Sequence, residues 1–147
     1  MDIRAYLSGY ADGEGCFCVS ISKSKRHAFG WEIRPSFSVS QNEDRAQVLR
    51  MYQKCFGCGY IRPDRSDKTL KYEVRSIDDL TEKVVPHFEK YPLLSGKKKD
   101  FEKFATICRM MNKGEHLKKE GFRKIVDLAF QINSSGKRRY SRGEIKI

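Results

Sequence analysis

Leu7-Ser8-Gly9-Tyr10-Ala11-Asp12-Gly13-Glu14-Gly15 is the stretch that decides how this chain is read. Around it, Ile3, Tyr6, Leu7, Tyr10 and Ala11 recur at i, i+3, i+4, i+7 and i+8, so residues 2–14 read as a helix with one apolar face. Ala5, Gly9 and Gly13 fall at i, i+4 and i+8, on one line along that helix. A glycine inside a helix costs about 1 kcal/mol relative to alanine, so two on one line need a reason. Small side chains let a second backbone come very close. The helix then ends on Asp12 and Glu14, acids beside the negative end of its dipole, unfavourable by about 0.3 kcal/mol or more each. Spacing alone leaves two readings open. One is a glycine-capped helix end with solvated acids. The other is a carboxylate site whose charge is offset by a bound divalent cation.

Downstream, Phe17, Val19 and Ile21 alternate with Cys18, Ser20 and Ser22, which predicts a strand over 16–24 with one buried face. A basic loop follows, with Lys23, Lys25, Arg26 and His27. Residues 31–41 alternate again: Ile33, Pro35, Phe37 and Val39 inward, Glu32, Arg34, Ser36 and Ser38 outward. Pro35 predicts an edge position or a bulge. Asn42 is expected to cap a helix with Glu43 and Asp44 in its first turn, an apolar stripe through Ala46, Leu49, Tyr52, Cys55 and Phe56, and a stop at Gly57. Two strands follow, about 58–63 and 69–75, joined by the turn-rich Pro63-Asp64-Arg65-Ser66-Asp67. In the second, Tyr72 and Val74 point one way and Lys71, Glu73 and Arg75 the other. Ser76-x-x-Asp79 predicts a capping box for a third helix, broken near Pro86. A fourth helix is expected from near Ser95 to before Gly114, and a fifth from about Leu117 to Ile132. The basic tail, about 134–147 with Lys137, Arg138 and Arg139, is expected to be mobile when unbound. The order αββαββα plus C-terminal helices defines an α+β fold in a single domain over 1–147, with helices on one face of an antiparallel sheet.

Thirty Lys and Arg face nineteen Asp and Glu, a net charge of +11, which favours a polyanionic partner, nucleic acid above all. The open sheet face would carry Ser20, Ser22, Arg34, Ser38, Arg62, Lys71, Glu73 and Arg75, a polar, net-positive surface suited to base edges in a groove. Adjoining it are Lys23, Lys25, Arg26, Glu32, Ser36, Asp64, Arg65, Lys137, Arg138 and Arg139, completing the candidate DNA contacts. No apolar run approaches the ~20 residues of a membrane span, so no membrane partner is expected. The N-terminus reads as structural, without a secretory apolar region. Five cysteines, an odd number, point to reduced thiols inside a cell. Cys16-x-Cys18 is too short for a usual zinc knuckle, and Cys55 sits on an apolar stripe. His27, His87 and His116 show no metal spacing and are expected at the surface or on phosphates, and no Ser-His or Cys-His nucleophile pair stands out.

Residues 7–15 resemble the nine-residue signature of LAGLIDADG homing endonucleases. Leu7, Gly9, Asp12, Glu14 and Gly15 fall in register, and Glu14 replaces the commoner Asp. Ser40-Gln41, Tyr91-Pro92-Leu93-Leu94 leading to Lys97-x-x-Asp100-Phe101, and Gly121-Phe122-x-x-Ile125 to Asn133 extend the resemblance over most of the chain. It implies a saddle-shaped sheet, and signature helices of two units packed together along Ala5, Gly9, Asp12 and Gly13. It implies Glu14 as direct metal ligand with the Gly13 carbonyl beside it, Gln41 positioning water, Lys97 as the basic residue near the active site, and Asp12 as structural. The implied cofactor is Mg²⁺ or Mn²⁺, with Ca²⁺ binding but not supporting cleavage. The implied activity is an intron-encoded nuclease that makes a double-strand break across the minor groove and leaves short 3′ overhangs. One signature copy predicts a C₂ homodimer on a near-palindromic duplex. Strand 31–41, at ~3.4 Å per residue, spans roughly 11 base pairs, so a dimer site holds about 20. Such proteins work in bacterial or archaeal cytoplasm, or in an organelle matrix or stroma. Two other functions remain open: a DNA binder that does not cut, and an RNA-binding intron maturase.

Overall fold

The computed structural model describes residues 1–64, 68–133 and 138–147. Helix α1 (Ile3–Glu14) starts at Asp2, whose carboxylate accepts the amides of Arg4 and Ala5 at 2.9 and 3.3 Å. It passes without a loop into strand β1 (Gly15–Lys23). Strand β2 (Trp31–Asn42) pairs with β1 from Gly15↔Val39 to Lys23↔Trp31. Helix α2 (Gln47–Phe56) stops at Gly57, whose φ of 69° is the left-handed cap expected of glycine. Strands β3 (Tyr60–Pro63) and β4 (Thr69–Val74) complete an open antiparallel sheet in the order β1-β2-β4-β3. The predicted α+β class and the αββαββα order are what the chain adopts.

Pairing explains Pro35. Strand β4 lies only against residues 37–42 of β2, so the half that holds Pro35 has β1 alone as a neighbour. A proline's missing amide is tolerated at such an edge. The inner sheet face is aromatic. The Phe17 ring lies 5.2–5.3 Å from those of Phe37, Phe88, Phe101 and Phe104, and Phe37 also meets Tyr52, Phe56 and Tyr72. Three helices converge there: α2, α4 (Val85–Lys90) and α5 (Lys97–Asn112). Each such ring removed from water contributes about 2 kcal/mol, so these rings fix the helices on that face.

Four local expectations are corrected. Asn42 does not cap α2; it is the last residue of β2, paired with Thr69, and a 3₁₀ turn at Glu43–Arg45 precedes the helix. Ser76 does cap, accepting the Asp79 amide at 3.2 Å, but the helix it starts is not broken at Pro86. Helix α3 (Ile77–Asp79) runs into a π turn at Leu80–Val84 and then into α4, so Pro86 falls in a first turn, where its lack of N–H is tolerated. His87 is no surface residue but 6% exposed, ringed by Phe56, Phe88 and Tyr91. The tail from 138 is not loose. Arg138 donates to the carbonyls of Val19 and Ala129 at 2.7 and 2.5 Å, Arg142 pairs with Asp127 at 2.6 Å, and Ile145 is buried. The 65–67 turn, with Arg65, and residues 134–137, with Lys137, lie outside the described residues.

Helix α6 (Lys119–Ala129) packs against the preceding 3₁₀ turn Glu115–Leu117 only because residue 121 has no side chain. A methyl group there would sit 2.0 Å from the Glu115 carbonyl oxygen. Gly121→Ala is therefore expected to destabilise the protein by about 2–3 kcal/mol, seen as a lower urea midpoint at unchanged m-value.

Candidate active site

The base of α1 is bound to the segment that leads into α5. The Ser8 hydroxyl donates to the Tyr91 carbonyl at 2.6 Å and meets His87 Nε2 at 3.0 Å. Because its single proton goes to Tyr91, the imidazole must donate through Nε2. Burial, and then the Arg4 charge, push the His87 pKa down to about 4, so the ring stays neutral at pH 7. One turn on, Asp12 accepts the Leu94 amide at 2.8 Å, the Ser95 amide at 3.1 Å and the Ser95 hydroxyl. Burial works to raise the Asp12 pKa, but these bonds and Lys97 outweigh it and hold the carboxyl below its ordinary range. Lys97 reaches back, and its Nζ donates to the carbonyls of Ala11 at 3.1 Å and Gly15 at 2.6 Å.

Asp12 and Lys97, each unfavourable at its own helix end, thus serve the opposite helix. Asp12, at the negative end of α1, meets the amides entering α5; Lys97, at the positive end of α5, meets the carbonyls leaving α1.

Glu14 is different. It is exposed, and among the described residues it has no hydrogen bond or ion pair. Gly13, also exposed, lies in the last turn, whose carbonyls have no helical amide to meet. A free carboxylate beside helix-end carbonyls is a hard oxygen donor set, which fits Mg²⁺, Mn²⁺ or Ca²⁺. Among the described residues no group of three or more His, Cys, Asp or Glu could enclose a metal. A metal held by Glu14 and these carbonyls would need further oxygen donors to fill its shell. Gln41, half-buried at the end of β2, is held at both ends of its amide. Its Oε1 accepts the Asn42 amide at 2.8 Å, and its Nε2 donates to the Tyr10 hydroxyl. The structure brings Asp12, Gln41 and Lys97 to the same end of α1 as Glu14. Tyr10, Ser8 and Ser95 were not foreseen; only Tyr10 carried a signal, standing four residues before Glu14 on one helix row.

The close-packing line of α1 has no partner among the described residues. Ala5, Gly9 and Gly13 are exposed, and a methyl group at either glycine would meet nothing within 4 Å. Ile3 and Tyr6 extend this face, 43% and 40% exposed.

The outer sheet face is polar, as expected, but not uniformly open. Ser20, Lys23, Lys25, Arg26, Arg34, Arg62, Arg75 and Arg139 are exposed; Ser22, Glu32, Ser36, Asp64, Lys71 and Arg138 are half-buried. Glu32 lies 3.5 Å from Arg34 and 3.6 Å from His27. Two members are covered: Ser38, and Glu73, which is enclosed by Arg62 at 3.3 Å and the Tyr60 hydroxyl at 2.9 Å. Asp64 accepts the Ser40 hydroxyl at 3.1 Å, and the Arg138 guanidinium is committed to backbone carbonyls.

The sequence profile of the LAGLIDADG endonuclease family matches residues 7–108, and the chain belongs to that family. It is 32% identical over 130 residues to a Neurospora crassa protein named "Probable intron-encoded endonuclease 2", covering 88% of this chain and 29% of that protein. It is 28% identical to homing endonuclease I-ApeII of Aeropyrum pernix, over 92% of this chain and 81% of the relative. The crystal structure of the homing endonuclease I-TnaI superposes with a TM-score of 0.84 at 37% identity, covering 97% of this chain and 92% of that one. I-SmaMI bound to uncleaved DNA target with calcium ions superposes at 0.86 and 30% identity, over 95% of this chain but 47% of that one. The chain thus spans less than half the length of several relatives it matches.

The Asp12 bonds contribute fully above the ordinary carboxylate value of 3.8 and are lost as pH falls through the lowered folded value. Asp12→Asn is expected to cost about 1 kcal/mol at pH 7, a Tm drop of roughly 2–4 °C. The gap from the parent protein should narrow below pH 3.8, as calorimetry across pH would show.

Proposed function

We propose that the chain is a site-specific endonuclease that binds double-stranded DNA on its outer sheet face and cuts both strands with a divalent metal. The observation that carries this reading is Glu14: a free carboxylate at the base of a helix whose glycine line lies open. Two such helices packed along Gly9 and Gly13 bring two Glu14 carboxylates together, one for each strand. The half-length match to I-SmaMI supports this two-unit arrangement, met here by a homodimer with C₂ symmetry on a near-palindromic site.

Glu14 and the Gly13 carbonyl hold the metal, Mg²⁺ or Mn²⁺ in the active state. When bound, it lowers the pKa of water and neutralises charge on the phosphate under attack. Gln41, its amide fixed, aims the water. Lys97 supplies a cation near the phosphate while closing the end of α1. Arg34, Arg62 and Arg75, with Lys23, Lys25 and Arg26 from the hairpin loop, bind backbone and base edges. No helix among the described residues is long and apolar enough to cross a membrane. The place of action is an intracellular compartment that holds DNA.

Cleavage of a randomised duplex library with Mg²⁺, with the ends sequenced, tests this reading. The expected product is an enriched long near-palindrome with short 3′ overhangs. Glu14→Gln should abolish cutting and keep specific binding; cutting that persists would remove Glu14 as ligand. Folded protein that cuts nothing but binds RNA tightly, with Glu14→Gln doing the same, would establish the maturase instead.

Bulk on the glycine line tests the pairing. A Cβ at position 9 meets nothing within 4 Å, so Gly9→Leu is expected to keep the fold yet turn a dimer into a monomer in sedimentation. A Gly9→Leu dimer of undiminished stability would place the interface elsewhere.

A further inference from the structure

We propose that Tyr10 is a positioning residue of the cleavage reaction, its phenol oxygen fixing the Gln41 amide on the Glu14 side of α1. The proposal rests on the endonuclease reading above. Three observations converge. First, the Gln41 amide can point only one way: its Oε1 accepts the Asn42 backbone N–H at 2.8 Å, which turns Nε2 towards Tyr10. Second, the Tyr10 hydroxyl accepts from Nε2, so its own proton remains available to water or to a phosphate oxygen. Third, Tyr10 and Glu14 are i and i+4 on one helix, with Cβ atoms about 5–6 Å apart, so the amide, the phenol and the free carboxylate share one face.

The phenol is itself held. Its ring centroid lies 6.4 Å from Tyr52 and 6.2 Å from Tyr6, and Tyr52 donates to the Leu7 carbonyl at 2.5 Å, which ties that ring to the same helix. Apolar packing needs only an aromatic ring at position 10. The hydroxyl adds nothing to the stripe that buries α1, and it accepts from Gln41.

Tyr10→Phe keeps the ring and removes the oxygen. In ¹⁵N-labelled protein without DNA, the Gln41 side-chain amide signals should shift. With DNA, the single-turnover cleavage rate in Mg²⁺ should fall roughly three- to tenfold, the loss of one hydrogen bond. DNA affinity measured in Ca²⁺ and the Tm should not change. Unmoved Gln41 signals would overturn the contact whatever the protein does to DNA. An unchanged rate, or a slowing matched by lost affinity or lost Tm, would make Tyr10 a packing residue only. A parent protein that cuts no duplex would remove the reaction and the role together, while the amide signals would still report whether Tyr10 holds Gln41.

Discussion

The exchange of charges between α1 and α5 is the contact on which the site depends. An acid at a helix C-terminus and a lysine at a helix N-terminus are each unfavourable in isolation. Placed side by side, each serves the other's helix: Asp12 takes the amides of Leu94 and Ser95, and Lys97 takes the carbonyls of Ala11 and Gly15. Ser8 adds a third tie, to His87 and Tyr91, so segment 87–97 holds α1 over about two turns. With one side of the helix held, the opposite line of small residues stays open and the last acid stays free. That division of labour within nine residues separates Asp12 from Glu14, two carboxylates that look equivalent in the sequence.

Most of the fold was legible because its signals are local. The alternation of Phe17-Val19-Ile21 and of Ile33-Phe37-Val39 set two strands and their inner faces, and Gly57 marked a helix end by the backbone angle it alone adopts easily. Pro35 even indicated which half of its strand would lack a second neighbour. What failed was also physical. Asn42 has the chemistry of a cap, but strand pairing with Thr69 claimed it first. Pro86 should end a helix, yet one π turn before it moves the proline into a first turn, and nothing in composition announces a π turn. The tail looked mobile because it is basic, while Arg138 spends its charge on two carbonyls more than a hundred residues apart in sequence.

For the candidate site, family resemblance pointed to Glu14, Gln41 and Lys97, and the structure brings them to one end of α1. It could not say what Lys97 touches, since that depends on carbonyls 82 and 86 residues away. Nor could alternation on β4 reveal that Glu73, on the polar face, is enclosed by Arg62 and Tyr60. Side-chain direction is periodic and can be read; who covers a side chain is a matter of tertiary packing and cannot.

The junction between α1 and β1 contains no loop. Gly15 closes the helix through its amide on Ala11 and is at the same time the first paired residue of the strand, opposite Val39. A side chain there would press on the Ala11 carbonyl at 2.8 Å, so the junction has no slack. On the proposed function, the acid that cuts and the strand that reads are one rigid ruler. Altering the letters read along β1 and β2 would change which duplex is chosen while leaving the break at a constant offset from them. One inserted residue at the junction would put reading and cutting out of phase.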